Sequence, residues 1–234
     1  MKTQHTSDTR EHYSRHFEGA DRTNVDFEQL ENIDTNYHFE PQVLSDYIAF
    51  SIVYIVRFLT RYIFSGRFVH HGVFLEACAS IPGLVGGVLH YIFGASSPEE
   101  EKRIAALLEE SENERTHLML WAEVIKPSIL ETILIFFATV VYFVLYCASY
   151  LVSRNFCHRV VGYMEEEAVW YYTDFLQAID RGVPEVLDIQ VPKLAINYYK
   201  LNADATLRQV VLCVRGDEAH HRNSNHTLSG CILK

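Results

Sequence analysis

The sequence predicts an all-α protein with six long helices, and three observations support this prediction. Long segments place apolar residues at the three- and four-residue spacing of a helix. Prolines fall mostly between these segments or at their starts. Two Glu-x-x-His pairs, Glu114 with His117 and Glu218 with His221, each place a carboxylate and an imidazole on one helical face. Each pair can therefore converge on a metal ion.

The composition limits the class of protein. The chain has 234 residues and a formal charge of −10, which predicts one large core and argues against a general nucleic-acid binder. Apolar residues make up 49% and aromatic residues 13%, which for an acidic domain suggests contact with a membrane. The five cysteines are scattered and odd in number, which indicates reduced thiols rather than a disulfide frame.

The chain divides into three predicted regions. Residues 1–42 are polar with little apolar periodicity, which predicts an extended arm lying on the body or on a partner. The arm has neither the apolar core of a signal peptide nor the acid-poor composition of a transit peptide. Residues 43–228 are expected to form the helical domain, and residues 229–234 a C-terminal tail.

The first helix is predicted between Leu44 and Phe64. Its apolar residues recur at helical spacing, whereas Arg57 and Arg61 share another side. This pattern fits an amphipathic helix on a membrane surface. A core-facing helix with a solvated basic side fits the segment equally well.

The second helix is predicted to start near Arg67 and to carry Glu76. The residues three and four positions from Glu76 are small or apolar, so its carboxylate is expected to be either ion-paired or a metal ligand. The segment alone leaves both readings open. Pro82 and the glycines at 83, 86 and 87 predict a bend and close helix packing.

The third helix has a clear start signal in Ser96-Ser97-Pro98-Glu99-Glu100, which combines a hydroxyl cap, a proline and acidic residues in the first turn. It is expected to end just before Pro127. Glu114 and His117 lie within it. Arg115 lies on a different side and is expected to be solvated or interfacial.

The fourth helix covers residues 132–152, which carry no formal charge and match the length of about 20 residues needed to cross a bilayer. A crossing would leave Glu114 and Glu165 on opposite sides, so one metal site could not use both. Return of the fifth helix through lipid is too costly because of Arg154 and Arg159. The fourth helix is therefore expected in the membrane interface or against a dimer partner.

The fifth helix carries the run Glu165-Glu166-Glu167. Spacings of four, three and four residues place Val161, Glu165, Ala168 and Tyr172 on one stripe. Glu165 is therefore the predicted inward carboxylate. The other two glutamates of the run are expected to be solvated or ion-paired.

The sixth helix is predicted after a break at residues 181–191. It is expected to run unbroken through Tyr198 and Tyr199 to Glu218 and His221. The remaining histidines form no spaced cluster that indicates a site: His5, His12, His16, His38, His70, His90 and His226.

Together these residues meet a known metal-binding requirement. A Glu-x-x-His on each of two helices, with one Glu from each of two more helices, is the ligand set of carboxylate-bridged di-iron bundles. Glu76 and Glu165 can supply the last two carboxylates. The count of four carboxylates and two histidines is therefore met.

The motifs resemble those of the alternative oxidase family, the membrane-bound di-iron quinol oxidases. The resemblance covers residues 36–228 and rests on four motifs in the family's order. They are Leu75-Glu76-Ala-Cys-Ala-Ser-Ile-Pro82-Gly83-Leu-Val-Gly86-Gly87, Asn113-Glu114-Arg-Thr-His117-Leu118-Met119, His158-Arg-Val-Val-Gly-Tyr-Met-Glu165-Glu-Glu-Ala and Arg215-Gly-Asp217-Glu218-Ala-His-His221-Arg.

The resemblance implies a ferritin-like four-helix bundle with a di-iron centre, plus two additional membrane-associated helices, in a monotopic interfacial protein. It implies that two iron ions are bound by Glu76, Glu114, His117, Glu165, Glu218 and His221. It also implies that Tyr172 is the redox-active tyrosine. The implied supporting hydrogen-bond network contains Asn113, Asp217, His158 and Tyr198.

The resemblance also implies a function and a setting. A homodimer in one membrane leaflet would oxidise ubiquinol and reduce O2 to water without pumping protons. The expected location is the matrix face of the inner mitochondrial membrane, with a related organelle or a bacterial plasma membrane as alternatives. No cysteine precedes Cys78, so the regulatory N-terminal disulfide of plant enzymes has no expected counterpart.

Departures from the family pattern concern the quinol pocket. His71 stands where the family usually has an arginine thought to bind quinol, and Trp170 and Tyr171 stand where smaller residues are common. These two bulky residues are expected to narrow the pocket. The implied pocket contains His71, Leu75, Met164, Ala168 and Tyr171.

Two rival functions share these residues. A di-iron hydroxylase of a quinone precursor would have the same ligands and the same membrane association. A ferritin-like iron-binding protein is disfavoured by the uncharged run at 132–152, because the helices of such a bundle are soluble.

Overall fold

The fold is all-helical throughout the part of the chain that the computed structural model describes, residues 25–93 and 97–230. The helices are α1 (Phe27–Glu31), α2 (Leu44–Ile63), α3 (Phe68–Phe93), α4 (Pro98–Val124), α5 (Ile129–Val152), α6 (Arg154–Asp180), α7 (Pro184–Leu187), α8 (Lys193–Tyr198) and α9 (Leu207–Leu228). The predicted all-α class is confirmed. Six of these helices are long, as expected.

Four long helices form a bundle, and the other two pack outside it. Helix α3 packs mainly on α4, and α6 packs mainly on α9. The two pairs meet through contacts of α3 with α6 and of α4 with α9. Helix α2 packs on α6, and α5 packs on both α3 and α6. The two outer helices therefore lie on the α3–α6 side of the bundle.

Glycines allow α3 and α4 to approach closely. A Cβ atom at Gly83 would overlap the carbonyl oxygen of Leu107 and would lie 2.9 Å from the backbone nitrogen of Ser111. A Cβ atom at Gly87 would lie 2.6 Å from Leu108 Cδ2. Helix α3 continues through Pro82. The predicted close packing around this proline is therefore present and is directed at α4.

Local signals set several helix ends. Ser128 and Glu131 form a capping box at the start of α5, in which the Ser128 amide donates to Glu131 Oε2 at 2.8 Å. Helix α4 begins at Pro98, as the serine and proline signal predicts. Ser153 caps α6 directly after α5 ends, so these two helices form an antiparallel pair.

The expectation of an unbroken sixth helix is wrong. Helix α8 ends at Tyr198, and Lys200 has a left-handed φ of 52°. A new helix, α9, starts at Leu207 behind a capping box formed by Thr206 and Gln209. The chain turns between the two helices, so Tyr198 lies on a different element from Glu218 and His221.

The described part of the predicted N-terminal arm lies on the body. It includes the short helix α1 and is therefore not extended throughout. Arg215 Nη2 donates to the Leu30 carbonyl at 2.7 Å, and Arg222 Nη1 donates to the Asp34 carbonyl at 2.9 Å. Both arginines belong to α9, so the arm crosses this helix. Residues 1–24 of the predicted arm, and residues 231–234 of the predicted tail, lie outside the described residues.

The outer helices expose large apolar side chains. The most hydropathic window of α5 has a mean hydropathy of 2.2 and is 11% buried. The corresponding window of α3 has a mean hydropathy of 1.7 and is 56% buried, because α3 lies inside the bundle. By length and composition both helices could cross a membrane. Of the two helices α3 and α5, α5 is the one with its apolar surface largely uncovered.

The substitution Gly83→Ala tests the close approach of α3 and α4. We expect it to lower the free energy of unfolding by about 1–3 kcal/mol, because the added methyl group would clash with backbone atoms of α4. Chemical denaturation in detergent would measure this. The change Leu187→Ala, at an exposed position on α7, should cost much less, and equal losses would contradict the proposed contact.

Candidate metal centre

Six predicted ligand side chains converge inside the bundle. Glu76 comes from α3, Glu114 and His117 from α4, Glu165 from α6, and Glu218 and His221 from α9. All six are buried. In the first group of four, the ligand atoms of Glu76, Glu114, His117 and Glu218 lie within 4.8 Å of one another. In the second group, those of Glu114, Glu165, Glu218 and His221 do so.

The two groups share Glu114 and Glu218. Each group also has one carboxylate and one histidine that the other group lacks. These are Glu76 and His117 in the first group, and Glu165 and His221 in the second. Two positions with two common carboxylates form the geometry of a carboxylate-bridged dinuclear site. The helical spacing explains this convergence, because each Glu-x-x-His pair presents both side chains from one face of its helix.

The contacts in this cluster join nitrogen and oxygen atoms that all face the same space. His221 Nδ1 lies 2.5 Å from Glu114 Oε1, and His117 Nδ1 lies 3.0 Å from Glu218 Oε1. His117 Nδ1 also lies 3.5 Å from Glu76 Oε2. Both histidines therefore present Nδ1 to the carboxylates.

Several of these buried atoms have no hydrogen bond of acceptable geometry within the described part of the chain. They are Glu76 Oε2, both oxygens of Glu114, His117 Nδ1, Glu165 Oε2, Glu218 Oε1 and His221 Nδ1. Buried polar atoms normally have partners, because leaving them unpaired costs several kcal/mol. Atoms that lack partners and face one another are the expected donors of a metal site. The residues therefore fit a bound metal.

The pKa values of the cluster reflect the crowding of negative charge in a buried space. Burial, followed by repulsion from Glu218 and Glu114, raises the pKa of Glu76 well above its usual value. Burial, followed by repulsion from Glu114 and Glu218, does the same for Glu165. Burial acts to lower the pKa of His221, but the adjacent Glu114 carboxylate outweighs it and raises that pKa. Cations would relieve this crowding of negative charge.

A hydrogen-bond network supports His117. Asp217 Oδ2 accepts a hydrogen bond from Asn113 Nδ2 at 2.9 Å and from the Tyr199 hydroxyl at 2.8 Å, and lies 3.1 Å from His117 Nε2. Asn113 Nδ2 also lies 2.8 Å from the Tyr198 hydroxyl. A carboxylate on the far nitrogen of a ligand histidine fixes its ring and tautomer. The predicted residues Asn113, Asp217 and Tyr198 are thus together, whereas sequence reasoning missed the role of Tyr199.

His158 belongs to a second network. Its Nδ1 lies 2.9 Å from Asn225 Oδ1, and Asn225 Nδ2 donates to the His221 carbonyl at 3.1 Å. Asn225 Nδ2 also contacts both oxygens of the buried Glu110, at 3.0 and 2.9 Å. Burial raises the pKa of Glu110 to about 7. His158 therefore reaches the cluster only through Asn225, and neither Asn225 nor Glu110 belongs to a spaced motif.

Tyr172 lies directly beside the cluster. Its hydroxyl donates to Glu76 Oε1 in a short hydrogen bond, and the side chain is almost fully buried. The Trp121 indole Nε1 donates to the same hydroxyl oxygen at 2.8 Å. Trp121 gave no sequence signal, because it lies on α4 and contacts Tyr172 only through helix packing.

The residues of the predicted quinol pocket lie on α3 and α6. The His71 ring stacks on Phe64 at 5.4 Å and meets the Tyr171 ring edge-on at 5.0 Å. The Tyr171 hydroxyl donates to the Phe68 carbonyl at 2.5 Å. A Cβ atom at Gly72 would lie 2.9 Å from this hydroxyl oxygen, so the glycine makes room for Tyr171.

The other three predicted pocket residues, Leu75, Met164 and Ala168, are half-buried. The Tyr142 hydroxyl donates to Met164 Sδ at 3.3 Å, which ties this part of α6 to α5. Trp170 is 42% exposed. It therefore does not narrow a buried pocket as expected, because one residue along a helix turns a side chain by about 100°.

The remaining glutamates of the run contact basic or imidazole side chains. Glu167 Oε1 lies 2.7 Å from Arg57 Nη1. Glu166 lies 2.6 Å from His38 Nδ1 and 2.8 Å from His226 Nε2. The expectation of solvated or ion-paired glutamates holds for Glu167, whereas Glu166 is buried and contacts two histidines, a cluster that the sequence spacing did not reveal. His38 and His226 come from opposite ends of the chain, which explains why.

Fold and site together define a class of protein: four-helix bundles with a buried cluster of carboxylates and histidines that fits bound metal. The chain belongs to the alternative oxidase family. The family's model, described as Alternative oxidase, matches residues 25–230. The resemblance stated from the four motifs is therefore confirmed.

Individual relatives agree with the family match. The chain is 43% identical to Ubiquinol oxidase 1c, mitochondrial, from Arabidopsis thaliana, over 84% of this chain and 60% of the relative. It is 44% identical to Alternative oxidase 3, mitochondrial, from Glycine max, over 85% and 60%. A ubiquinol oxidase from Batrachochytrium dendrobatidis is 41% identical over 90% and 67%. The chain thus spans about 60% of the length of the two plant relatives.

His71 makes stability depend on pH. Burial, with a smaller contribution from Arg61, lowers its folded pKa to about 4. The unfolded imidazole binds its proton near pH 6.5, so the free energy of unfolding should fall as pH drops from about 6.5 towards 4. At pH 5 the loss is about 2 kcal/mol.

The variant His71→Phe should keep the ring stack on Phe64 and remove this loss. Denaturant titrations of the metal-free protein in detergent at pH 7.5 and pH 5 would measure the difference. An identical pH dependence in both proteins would show that His71 does not titrate as described.

Proposed function

We propose that this chain is a cyanide-insensitive ubiquinol oxidase that couples the oxidation of two quinols to the four-electron reduction of O2 to two waters. The observation that carries this proposal is the convergence of six side chains from four helices, with Glu114 and Glu218 common to both groups. The names of the relatives support the same activity. They do not favour the hydroxylase or ferritin-like alternatives.

We propose that the cofactor is a pair of iron ions held by Glu76, Glu114, His117, Glu165, Glu218 and His221. Carboxylate and imidazole ligands suit iron, and bound iron would supply redox chemistry towards O2. The protein's part is to keep the site dry and fixed. The hydrogen bonds of Asp217 to its neighbours hold the His117 ring, and burial of all six ligands excludes water.

Tyr172 is the proposed redox-active residue. Its hydroxyl already donates to Glu76, so the phenol can pass its proton to a carboxylate of the site when it loses an electron. Cleavage of O2 needs four electrons, and a tyrosine supplies one of them without waiting for a second quinol. Ubiquinol then returns one electron and one proton to the phenoxyl oxygen.

The proposed quinol pocket lies between α3 and α6, at His71, Leu75, Met164, Ala168 and Tyr171. Support comes from the buried His71 ring, whose Nε2 has no hydrogen-bond partner in the described part of the chain. A quinol hydroxyl would satisfy this nitrogen. Tyr171 contacts both His71 and Tyr172, at 5.0 and 4.7 Å between ring centroids, and so links the pocket to the site.

We propose that the protein lies in one leaflet of the inner mitochondrial membrane and faces the matrix. The exposed apolar surfaces of α2 and α5, on one side of the bundle, support this setting. Helix α5 packs along α6, which carries the buried Arg159 and the glutamate run, so a crossing would draw those charges into lipid. No path for pumped protons is expected. The mitochondrial relatives support the compartment.

A homodimer is also proposed. Leu84 and Val88 on α3, together with Leu108 on α4, are more than 40% exposed and lie on the glycine-rich contact of these helices. This apolar patch is continuous across two helices of the bundle. A second copy of the chain would cover it.

Loss of one ligand tests both metal binding and activity. We expect Glu165→Ala to abolish iron loading and cyanide-resistant oxygen consumption with a soluble ubiquinol. The change removes a carboxylate that only the second group of proposed ligands contains. Metal analysis and an oxygen electrode would measure the two losses. Glu167→Ala is the matched control, since Glu167 pairs with Arg57 outside the cluster. Full activity of the Glu165 variant would mean that the ligand set is wrong.

Tyr172→Phe tests the tyrosine. This variant should retain its iron but lose most of its turnover, because only the phenol oxygen is removed from a buried ring. Tyr163→Phe is the control, since the Tyr163 hydroxyl donates to the Phe39 carbonyl at 3.0 Å, away from the site. Unchanged turnover in the Tyr172 variant would exclude the tyrosine from the mechanism.

A further inference from the structure

We propose that Trp121 is the positioning residue for Tyr172. Its indole N–H directs the phenol proton to Glu76. It also keeps its hydrogen bond to the phenol oxygen while Tyr172 loses a proton and an electron and is then restored by ubiquinol. The inference rests on the proposed redox role of Tyr172. It concerns a residue on α4, two turns beyond Glu114, that is not a ligand and is fully buried.

The direction of the hydrogen bonds follows from the chemistry of the two side chains. An indole nitrogen can only donate, so the Tyr172 oxygen must accept from Trp121 Nε1, 2.8 Å away. The Tyr172 hydroxyl then has its own hydrogen for a single further partner. That partner is Glu76 Oε1. Trp121 thus leaves the phenol hydroxyl one orientation, in which its hydrogen points to the Glu76 carboxylate of the cluster.

Packing prevents the indole from turning away. Its ring stacks on Tyr172 at 6.1 Å with an angle of 23° between the planes, and it lies 5.6 Å from the Phe175 ring. A Cβ atom at Gly72 would lie 3.6 Å from Trp121 Cδ1, so α3 closes the other side. A buried N–H without a partner is costly, which also holds Trp121 on the Tyr172 oxygen.

In the proposed redox step, each electron and each proton has a donor and an acceptor. Tyr172 loses one electron to the oxygen-derived oxidant in the site and one proton to Glu76, which breaks the phenol O–H bond. Trp121 keeps its own proton throughout and remains the donor to the resulting phenoxyl oxygen. The proton on Glu76 passes to the reduced oxygen and leaves in the product water. One electron and one proton from ubiquinol then restore the O–H bond of Tyr172. A fixed donor on that oxygen would need no reorganisation during either transfer.

The sharpest test removes only the indole N–H. The protein has two tryptophans, Trp121 and Trp170. In a Trp170→Phe background, 3-benzothienylalanine replaces Trp121 with a sulfur in place of the N–H group and nearly the same shape. Trp170 is exposed, so the background protein serves as the matched reference.

We expect the substituted holoenzyme to keep its iron and its KM for a soluble ubiquinol, while kcat falls about tenfold, the effect of one hydrogen bond in the transition state. A merely structural role would not alter the radical itself. Electron–nuclear double resonance of the Tyr172 radical in D2O should therefore show two exchangeable deuterons beside the phenoxyl oxygen in the reference protein, on Trp121 and on Glu76, and only the Glu76 deuteron in the substituted protein.

A second readout does not need the radical. The ultraviolet resonance Raman band of the indole N–H in the Trp170→Phe holoenzyme should shift when Tyr172→Phe is added, because the acceptor oxygen is then lost.

The outcomes separate the two proposals. Absence of a tyrosine radical together with a shifted Raman band would overturn the redox role of Tyr172 and would leave only the hydrogen bond. An unshifted band, or an unchanged deuteron coupling and kcat after removal of the N–H, would overturn the role of Trp121.

Discussion

The structure depends on the placement of four carboxylates and two imidazoles in a space without water. Charges of one sign so close together are unfavourable in a core unless cations or protons balance them. Here Glu114 and Glu218 contribute to both groups, so cations bound at either group would be balanced by these two carboxylates. The four helices carry the candidate ligands, so metal bound to these ligands would hold the helices together. The packed helices in turn hold the ligand side chains in place.

The surroundings of the site divide into layers with different tasks. Asp217, Asn113 and Tyr199 fix the His117 ring from one side. Asn225 ties Glu110 and His158 to the main chain of His221 on another. The aromatic residues Trp121, Tyr171 and Tyr172 fill the space towards the start of α3. Polar support thus lies behind the histidines, whereas aromatic rings lie between the site and the proposed quinol pocket. This arrangement keeps water out on the side where a lipid-soluble substrate would enter.

The outer helices show how one chain combines a polar centre with an apolar surface. Helix α2 attaches to α6 through small buried residues such as Ala49, and through the ion pairs of Arg57 with Glu167 and Arg61 with Asp174. Its charged groups therefore face the protein, and its large apolar side chains face outward. Helix α5 has no such charges along most of its length. The inward polar and outward apolar pattern reverses that of a soluble bundle and suits a protein surrounded partly by lipid.

The sequence by itself determined the all-α class, the capped start of α4, the uncharged outer helix and the six candidate ligand side chains. These features depend on helical spacing and on residues near one another in the chain, so periodicity predicts them. Only the tertiary structure decided that Trp121 meets Tyr172 across 51 residues, that Tyr199 joins Asp217 and that Glu166 contacts His38 and His226. Those contacts depend on how helices pack against one another, and no local pattern encodes the distance between two faces that belong to different helices.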